Sequence, residues 1–401
     1  MGEAMTNGPY RLIGRIQHYA WGGCEFIPAL LGFHPKPDTP YAEYWLGAHE
    51  RAPATVLLNE DQAVSLDRLI ADQPEHLLGR QAASRYGRLP YLFKVLDVAR
   101  PLSIQVHPTQ AQAEAGFERE NRRGVPLDSP TRNYRDRNHK PELMVALSDF
   151  WLLHGFLPEE ELGRVLETIP EFHSLRRVWG QGGLSGLYRR VMGFSPAEVE
   201  AVLGPLIARL RQTDAAHRTP ADDWLLRIAA ERPADRGLFS LYFLNLVHLH
   251  PGQAIFQAAG VPHAYLQGRN VEVMANSDNV LRGGLTDKHV DVDELLRVVH
   301  FAGMQPCPIE AEGRGDSPEA AYPAPAPDFA LYRSRLRAGT AFEREASSVE
   351  ILLLMEGAVT VSSRERNLAL QRGWSAVVFA WTTYRVEAAE EADLFRVSVG
   401  R

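Results

Sequence analysis

Cysteine is nearly absent. Cys24 and Cys307 are the only two in 401 residues, so no disulfide framework can hold this chain together. Lysine is almost as scarce: of 43 basic residues, only Lys36, Lys94, Lys140 and Lys288 are lysines. Where arginine supplies the surface cations, a retained lysine marks a position that wants a compact, titratable ammonium. Long apolar runs are also missing. Nothing reaches the roughly 18 apolar residues of a membrane span, and the closest stretch, 238–249, is interrupted by polar residues. The N-terminus shows no basic region followed by an apolar core, and Gly2 lacks a good myristoylation context. The expectation is a cytoplasmic protein with no membrane association. Finally, there is no excess of positive charge. With 50 acidic against 43 basic residues the net charge is −7, which excludes general binding to nucleic-acid backbones. An anionic ligand must be caught by a local cluster of cations.

What is present is a folded, multidomain composition: 45% hydrophobic and 23% charged over a length too great for one ordinary core. Residues 1 to about 150 read as mostly β. Short apolar runs at 54–58, 92–96 and 102–106 are separated by Pro and Gly turns, with helices expected over 65–78 and 111–120. After Trp151 the period changes. Leu162, Val165, Leu166 and Ile169 share a helical face. Ser195-Pro196-Ala197-Glu198 and Thr219-Pro220-Ala221-Asp222 are helix starts, the first with Glu three residues beyond its cap. Pro205 is expected to kink or divide the helix that begins at Ser195. Strand signals return at Leu238, Pro251-Gly252 makes a turn, and 291–299 is a short helix. Residues 313–327 read as a linker or long loop. The tail from Phe329 carries short strands at 349–354, 359–362 and 376–379, a sandwich-like β unit. The fold class is mainly β with an α insertion.

Four segments carry polar residues where chemistry can be built. In Pro101-Leu102-Ser103-Ile104-Gln105-Val106-His107-Pro108, a strand would place Ser103, Gln105 and His107 on one face, about 7 Å separating alternate residues. Asn138-His139-Lys140-Pro141-Glu142 sets a carboxylate beside a lysine ahead of an apolar run. Gly260-Val261-Pro262-His263, following Pro251-Gly252 and a strand, is how small β-barrels present a metal-binding histidine. His248 and His250 lie before that turn and read as structural. Residues 272–288, from Glu272 through Asn279, Arg282, Gly283-Gly284, Asp287 and Lys288, form a polar stretch framed by strands.

Together with Gln17-His18-Tyr19-Ala20-Trp21-Gly22, Ala42 to His49 and Leu92 to Leu96, these segments resemble, in order over about the first 300 residues, the type I mannose-6-phosphate isomerases. The resemblance implies a zinc enzyme of the cupin superfamily, with jelly-roll β-barrels and an inserted all-helical domain. It implies metal ligands at Gln105, His107, Glu142 and His263, one zinc ion per chain, and an essential arginine at Arg282. The implied layout is a catalytic cupin domain over 1–157 and 237–312, a helical insertion over 158–236 and a C-terminal cupin-like domain over 313–401. Asp287 departs from the family pattern and sets a negative charge beside Lys288.

Aldose–ketose isomerisation moves a proton between adjacent carbons through an enediolate, which a divalent ion and a fixed cation both stabilise. Lys140 and Glu272 are the two candidates for the proton carrier, with His139 behind them. Ser103 and Lys288 are expected at the phosphate, with Trp21 and Tyr265 lining the pocket. Lys94 is read as structural and Lys36 as surface. The expected activity is interconversion of mannose 6-phosphate and fructose 6-phosphate by a monomer or weak homodimer. The alternatives are a non-catalytic cupin that binds a sugar phosphate, and an isomerase of a related aldose.

Overall fold

The computed structural model describes residues 8–313 and 317–400. The N-terminal segment read for signal and lipidation motifs lies outside them up to Asn7. Three sheets carry the described chain: one of ten strands, one of nine and one of four. The ten-stranded sheet centres on the long strand His263–Ala275, which pairs antiparallel with Tyr91–Val98, Glu142–Ala146 and Phe150–Phe156.

The period-2 alternation of these strands decides what faces what. In Tyr91–Val98 the side chains of Phe93 and Val95 enter a core shared with the nine-stranded sheet, where they join Val271, Val273, Ile351, Leu353 and Val377. The alternate residues Leu92, Lys94 and Leu96, with Glu272 and Met274 opposite, take the other face. One face of the sheet is thus apolar cement and the other holds buried charge.

The nine-stranded sheet takes strands from both ends of the chain. Tyr10–Ile13 inserts between Ser375–Val378 and Thr55–Leu57, and Ala63–Ser65 forms an edge. Its strand Glu350–Glu356 is buried on both faces, with Ile351 and Leu353 toward the first core and Leu352 and Leu354 toward the four-stranded sheet. That explains a run of consecutive apolar residues where a half-exposed strand would alternate. The four-stranded sheet consists of Ala341–Glu345, Thr383–Ala388, Ala358–Ser363 and Asn367–Gln371.

The helices Glu159–Thr168, His173–Met192, Pro196–Gln212, Pro220–Ala229 and Ser240–Phe243 lie between the strands Phe150–Phe156 and Leu244–Leu249. Those two strands pair with each other, Phe150 opposite Leu249, so the helical block fills a single long connection between neighbours. Its apolar faces (Leu166, Leu187, Leu203, Leu225) pack with Ile104, Val106, Leu153 and Phe156 of the ten-stranded sheet. Both expected helix starts form, each with a capping box, Ser195 with Glu198 and Thr219 with Asp222.

Several local expectations are corrected. Pro205 does not divide its helix; Pro196–Gln212 runs through it as one element. The helix expected over 65–78 is instead split at Gln73, because the residue before a proline is pushed out of the α region: Leu66–Asp72 and Pro74–Leu78 are separate. The apolar run at Leu238 is helical up to Phe243, and the strand starts at Leu244. Of the segment read as a linker, Glu312–Gly313 and Glu319–Tyr322 pair as strands, with residues 314–316 outside the description. The helix His173–Met192 was not anticipated; Gly180, Gly182, Gly183 and Gly186 mask its period, and Gly183 interrupts it at φ 57°. No single helix among the described residues is long and apolar enough to cross a membrane.

Candidate metal centre

Of the segment Ser103–His107, only Gln105–Val106 is laddered as a strand. Gln105 lies between His263 on one side and Arg282 on the other. Ile104 and Val106 point away into the core under the helices. His107 follows the strand and is completely buried. Glu142 opens the strand Glu142–Ala146, and His263 opens His263–Ala275. The turn before His263 requires glycine: Gly260 has φ +80°, its N–H donates to the His107 carbonyl at 2.8 Å, and an added Cβ would meet His300 at 3.1 Å.

His107, Glu142 and His263 converge as a buried triad of nitrogen and oxygen donors. His107 Nε2 faces Glu142 Oε1 at 3.5 Å, and His263 Nε2 faces Glu142 Oε2 at 3.4 Å. Ligands about 2.0–2.1 Å from a tetrahedral ion lie roughly 3.3 Å apart, so this spacing suits a shared ion. The rest of each imidazole is tied down: His107 Nδ1 reaches the Asn279 carbonyl at 2.9 Å and His263 Nδ1 the Val261 carbonyl at 3.0 Å. Both Nε2 atoms are thereby left to serve as ligands. His107 Nε2 is buried and makes no hydrogen bond within the protein, which is what a metal ligand needs and a plain core histidine does not. Burial, opposed by Glu142, brings the His107 pKa down to about 4, so the ring is a neutral donor at pH 7. Burial alone would raise the Glu142 pKa, but Lys140 and the two histidines outweigh it and hold the carboxylate ionised. The donor set fits zinc.

Asn279, named from sequence only as part of the polar stretch 272–288, organises this geometry. Fully buried, it donates to the carbonyls of Asp136 and Asn138 and accepts from the Arg135 N–H at 2.7 Å. Asp136 in turn receives Ser277 Oγ and the Asp278 N–H. This knot clamps the chain leading to Lys140 and Glu142 against the loop leading to Arg282. Lys140 is buried, with Nζ 3.2 Å from Glu142 Oε1. His139 turns elsewhere and pairs with Asp328.

Glu272 is also buried, and both its oxygens are engaged: Oε1 accepts from Lys94 Nζ and Oε2 from Tyr265 Oη, each at 2.7 Å. Burial raises its pKa and Lys94 opposes the shift. Lys94, expected to be structural, thus belongs to the same polar group. Burial works against its charge, but Glu272, Glu43 and Glu142 around it keep it protonated. Glu43 accepts in turn from the Trp45 indole N–H. The sequence did hold a signal for Lys94 and Glu272: each is a lone charge inside an apolar β run, a position tolerated only with a buried partner. Trp21 stacks on Tyr19 and packs against the cluster that contains Leu96, Leu102 and Tyr265.

Lys288 is exposed, and its pKa is lowered by partial desolvation and by Arg282, Arg135 and Arg51 nearby. Arg282 is half-buried, its own pKa lowered by burial and by Arg135. Arg135 and Arg51 are cations that sequence reasoning did not select. Asp287 does not oppose Lys288 as feared; it forms a two-point ion pair with Arg232 of the helical block, at 2.6 and 2.7 Å. Ser103 is half-buried, two residues before Gln105. Lys36 is exposed, as expected.

Residues 10–159 match the family model described as the catalytic domain of type I phosphomannose isomerase. The chain is 37% identical over 378 residues to the mannose-6-phosphate isomerase of Salmonella typhimurium, covering 92% of this chain and 94% of that protein. Against the Homo sapiens mannose-6-phosphate isomerase it is 33% identical over 413 residues, covering 94% and 95%. Among solved structures, Salmonella typhimurium mannose 6-phosphate isomerase bound to fructose 6-phosphate and zinc superposes with a TM-score of 0.90 at 35% identity, covering 98% of this chain and all of that one. A zinc-bound mannose 6-phosphate isomerase structure gives a TM-score of 0.89 with the same coverage.

Proposed function

The chain belongs to the type I mannose-6-phosphate isomerase family, and from that membership we propose that it interconverts mannose 6-phosphate and fructose 6-phosphate with one zinc ion. The observation that carries this reading is the buried His107–Glu142–His263 triad, with Gln105 beside it and a cation cluster at the end of the adjoining loop. We assign Gln105, His107, Glu142 and His263 as the ligands. A bound zinc ion would supply Lewis-acid polarisation of the sugar oxygens.

The chain's own residues account for the rest. The proton on C2 of the open-chain aldose must leave, its electron pair forming the C1–C2 double bond as charge gathers on O1. Return of the proton to C1, with transfer of the C2 hydroxyl proton to O1, gives the ketose. Lys140 is our choice as carrier, because Glu272 already holds Lys94 and Tyr265 with both oxygens. Glu272 then acts as the residue that positions Lys94 as a fixed cation. Arg282 faces the developing oxyanion, and Lys288 with Arg135 and Ser103 receives the phosphate. Trp21 and Tyr265 wall the pocket on its apolar side.

We read the finer architecture as cupin jelly-roll barrels: a catalytic unit over 1–157 and 237–312, a helical insertion over 158–236 and a C-terminal unit over 313–401. In support, the helical block joins two paired neighbours and the C-terminal strands form two packed sheets. The strands Tyr10–Ile13, Thr55–Leu57 and Ala63–Ser65 cross this division by joining the C-terminal sheet. A cytoplasmic monomer or weak homodimer, without nucleic-acid or membrane partners, completes the reading.

The test is elemental analysis of the purified protein followed by an assay that couples fructose 6-phosphate formation to a dye. One tightly held zinc and turnover of mannose 6-phosphate are expected. Bound zinc and bound mannose 6-phosphate without turnover would establish a non-catalytic binder instead.

A further inference from the structure

On the outer side of the ten-stranded sheet a second group of metal-ligating side chains comes together. His248, on the edge strand Leu244–Leu249, and His250, just beyond it, both turn toward Asp149. Asp149 sits in the turn before the paired strand Phe150–Phe156. His248 Nε2 lies 3.2 Å from Asp149 Oδ1 and His250 Nδ1 lies 3.1 Å from the same oxygen. These are the separations expected of ligands about 2.0–2.1 Å from one tetrahedral ion. The spacing i, i+2 brings both histidines to one face of extended chain.

The ligands are held in place by contacts of their own. The His248 ring lies flat on Trp151, with centroids 4.4 Å apart and planes 5° from parallel. The His250 N–H donates to Gln253 Oε1 at 2.9 Å. The turn that carries Asp149 is fixed by Ser148 Oγ, which accepts the Arg269 N–H at 3.0 Å, and by the Leu147 N–H on the Arg269 carbonyl at 2.8 Å. Ordering costs for a bound ion are thereby reduced. Two neutral imidazoles and a carboxylate carry one negative charge, and the nitrogen donors select borderline transition ions over magnesium or calcium. His250 and Asp149 are largely exposed, at 67% and 69%, so coordination positions remain open to water.

We propose that Asp149, His248 and His250 form a second, surface site for a divalent transition ion such as zinc, nickel or copper, separate from the buried triad. An ion there ties the end of an edge strand to the turn beside it. Through Trp151, whose ring lies 6.5 Å from Trp224 of the helical block, it also stiffens the contact between sheet and helices.

The experiment uses the zinc-loaded protein titrated with Cu2+, read by electron paramagnetic resonance and by elemental analysis on the same samples. The expected result is one further equivalent of copper with nitrogen hyperfine structure, zinc remaining at its starting content, and a raised Tm. The double variant His248→Gln/His250→Gln and the single variant Asp149→Asn should lose that copper signal and the Tm increase while basal isomerase activity is unchanged. An identical copper signal in the double variant, copper taken up only in exchange for released zinc, or no uptake at several-fold excess would each overturn the proposal.

Discussion

His263 shows how much a single side chain can carry. One nitrogen is fixed by the Val261 carbonyl and the other faces Glu142. His263→Ala should remove most bound zinc and nearly all activity while circular dichroism stays native, because the surrounding core is apolar and independent of the ring; a full equivalent of zinc in the variant would disprove the ligand assignment. Lys288 is the opposite case, an exposed cation beside Arg282 and Arg135, with the adjacent Asp287 taken by Arg232. Loss of a charge-assisted bond to a phosphate dianion costs roughly 1.5–3 kcal/mol. Lys288→Ala should therefore raise KM for mannose 6-phosphate by about 10- to 150-fold and leave any slow reaction of unphosphorylated mannose unchanged. Equal losses on both substrates would assign Lys288 to the chemistry instead. At this scale the buried His107, Glu142 and His263 cluster was legible because its three residues sit in short, distinctive segments. The partner of Lys94 was not legible, because Glu272 is 178 residues away and only the register of two strands brings them together.

Among the elements, the helical block was the most readable from sequence. Ser195 accepts the Glu198 N–H, and the Glu198 carboxylate returns to the Ser195 N–H at 2.9 Å. Truncating an N-cap serine costs about 1 kcal/mol. Ser195→Ala should lower the urea midpoint by the equivalent of that amount with no change in zinc content or kcat, the block contributing no residue to the triad. A loss of metal on this substitution would contradict that separation. The same block hid the helix His173–Met192, whose four glycines dilute the apolar period until packing against Phe156 and Leu166 decides it. Pro205 does not divide its helix, for the converse reason. A proline removes one backbone hydrogen bond, but Leu203, Leu206, Ile207 and Leu210 bury one continuous face across it, and burial of that size exceeds the local cost.

For the whole molecule, buried histidines link folding to pH. Burial lowers both His107 and His154 to about 4, against about 6.5 in an unfolded chain. Between these values the unfolded state binds protons that the folded state refuses, so stability falls as pH falls. The metal-free protein should lose on the order of 3 kcal/mol per histidine between pH 6.5 and 4, followed by urea unfolding at each pH. His154→Gln should remove about half of that slope. A stability flat across this window would refute it. Zinc should move the loss to lower pH, because the ion competes with the proton for His107.

Sequence patterns alone specified the elements with strong local causes: capped helices, alternating strands and the glycine turn before His263. They also determined that an acidic, lysine-poor chain must gather its cations locally to hold an anion. Tertiary structure alone decided the pairings across long separations. It put Tyr10–Ile13 into a sheet with Ser375–Val378, Lys94 on Glu272, Asn279 beneath His107, and a fully buried Arg396 between Glu319 and Glu350. The physical reason is common to all four. A local propensity involves residues within a turn or two of each other, whereas a buried charge or an inner strand is stable only when a distant partner arrives in register, and that partner leaves no periodic trace in the chain.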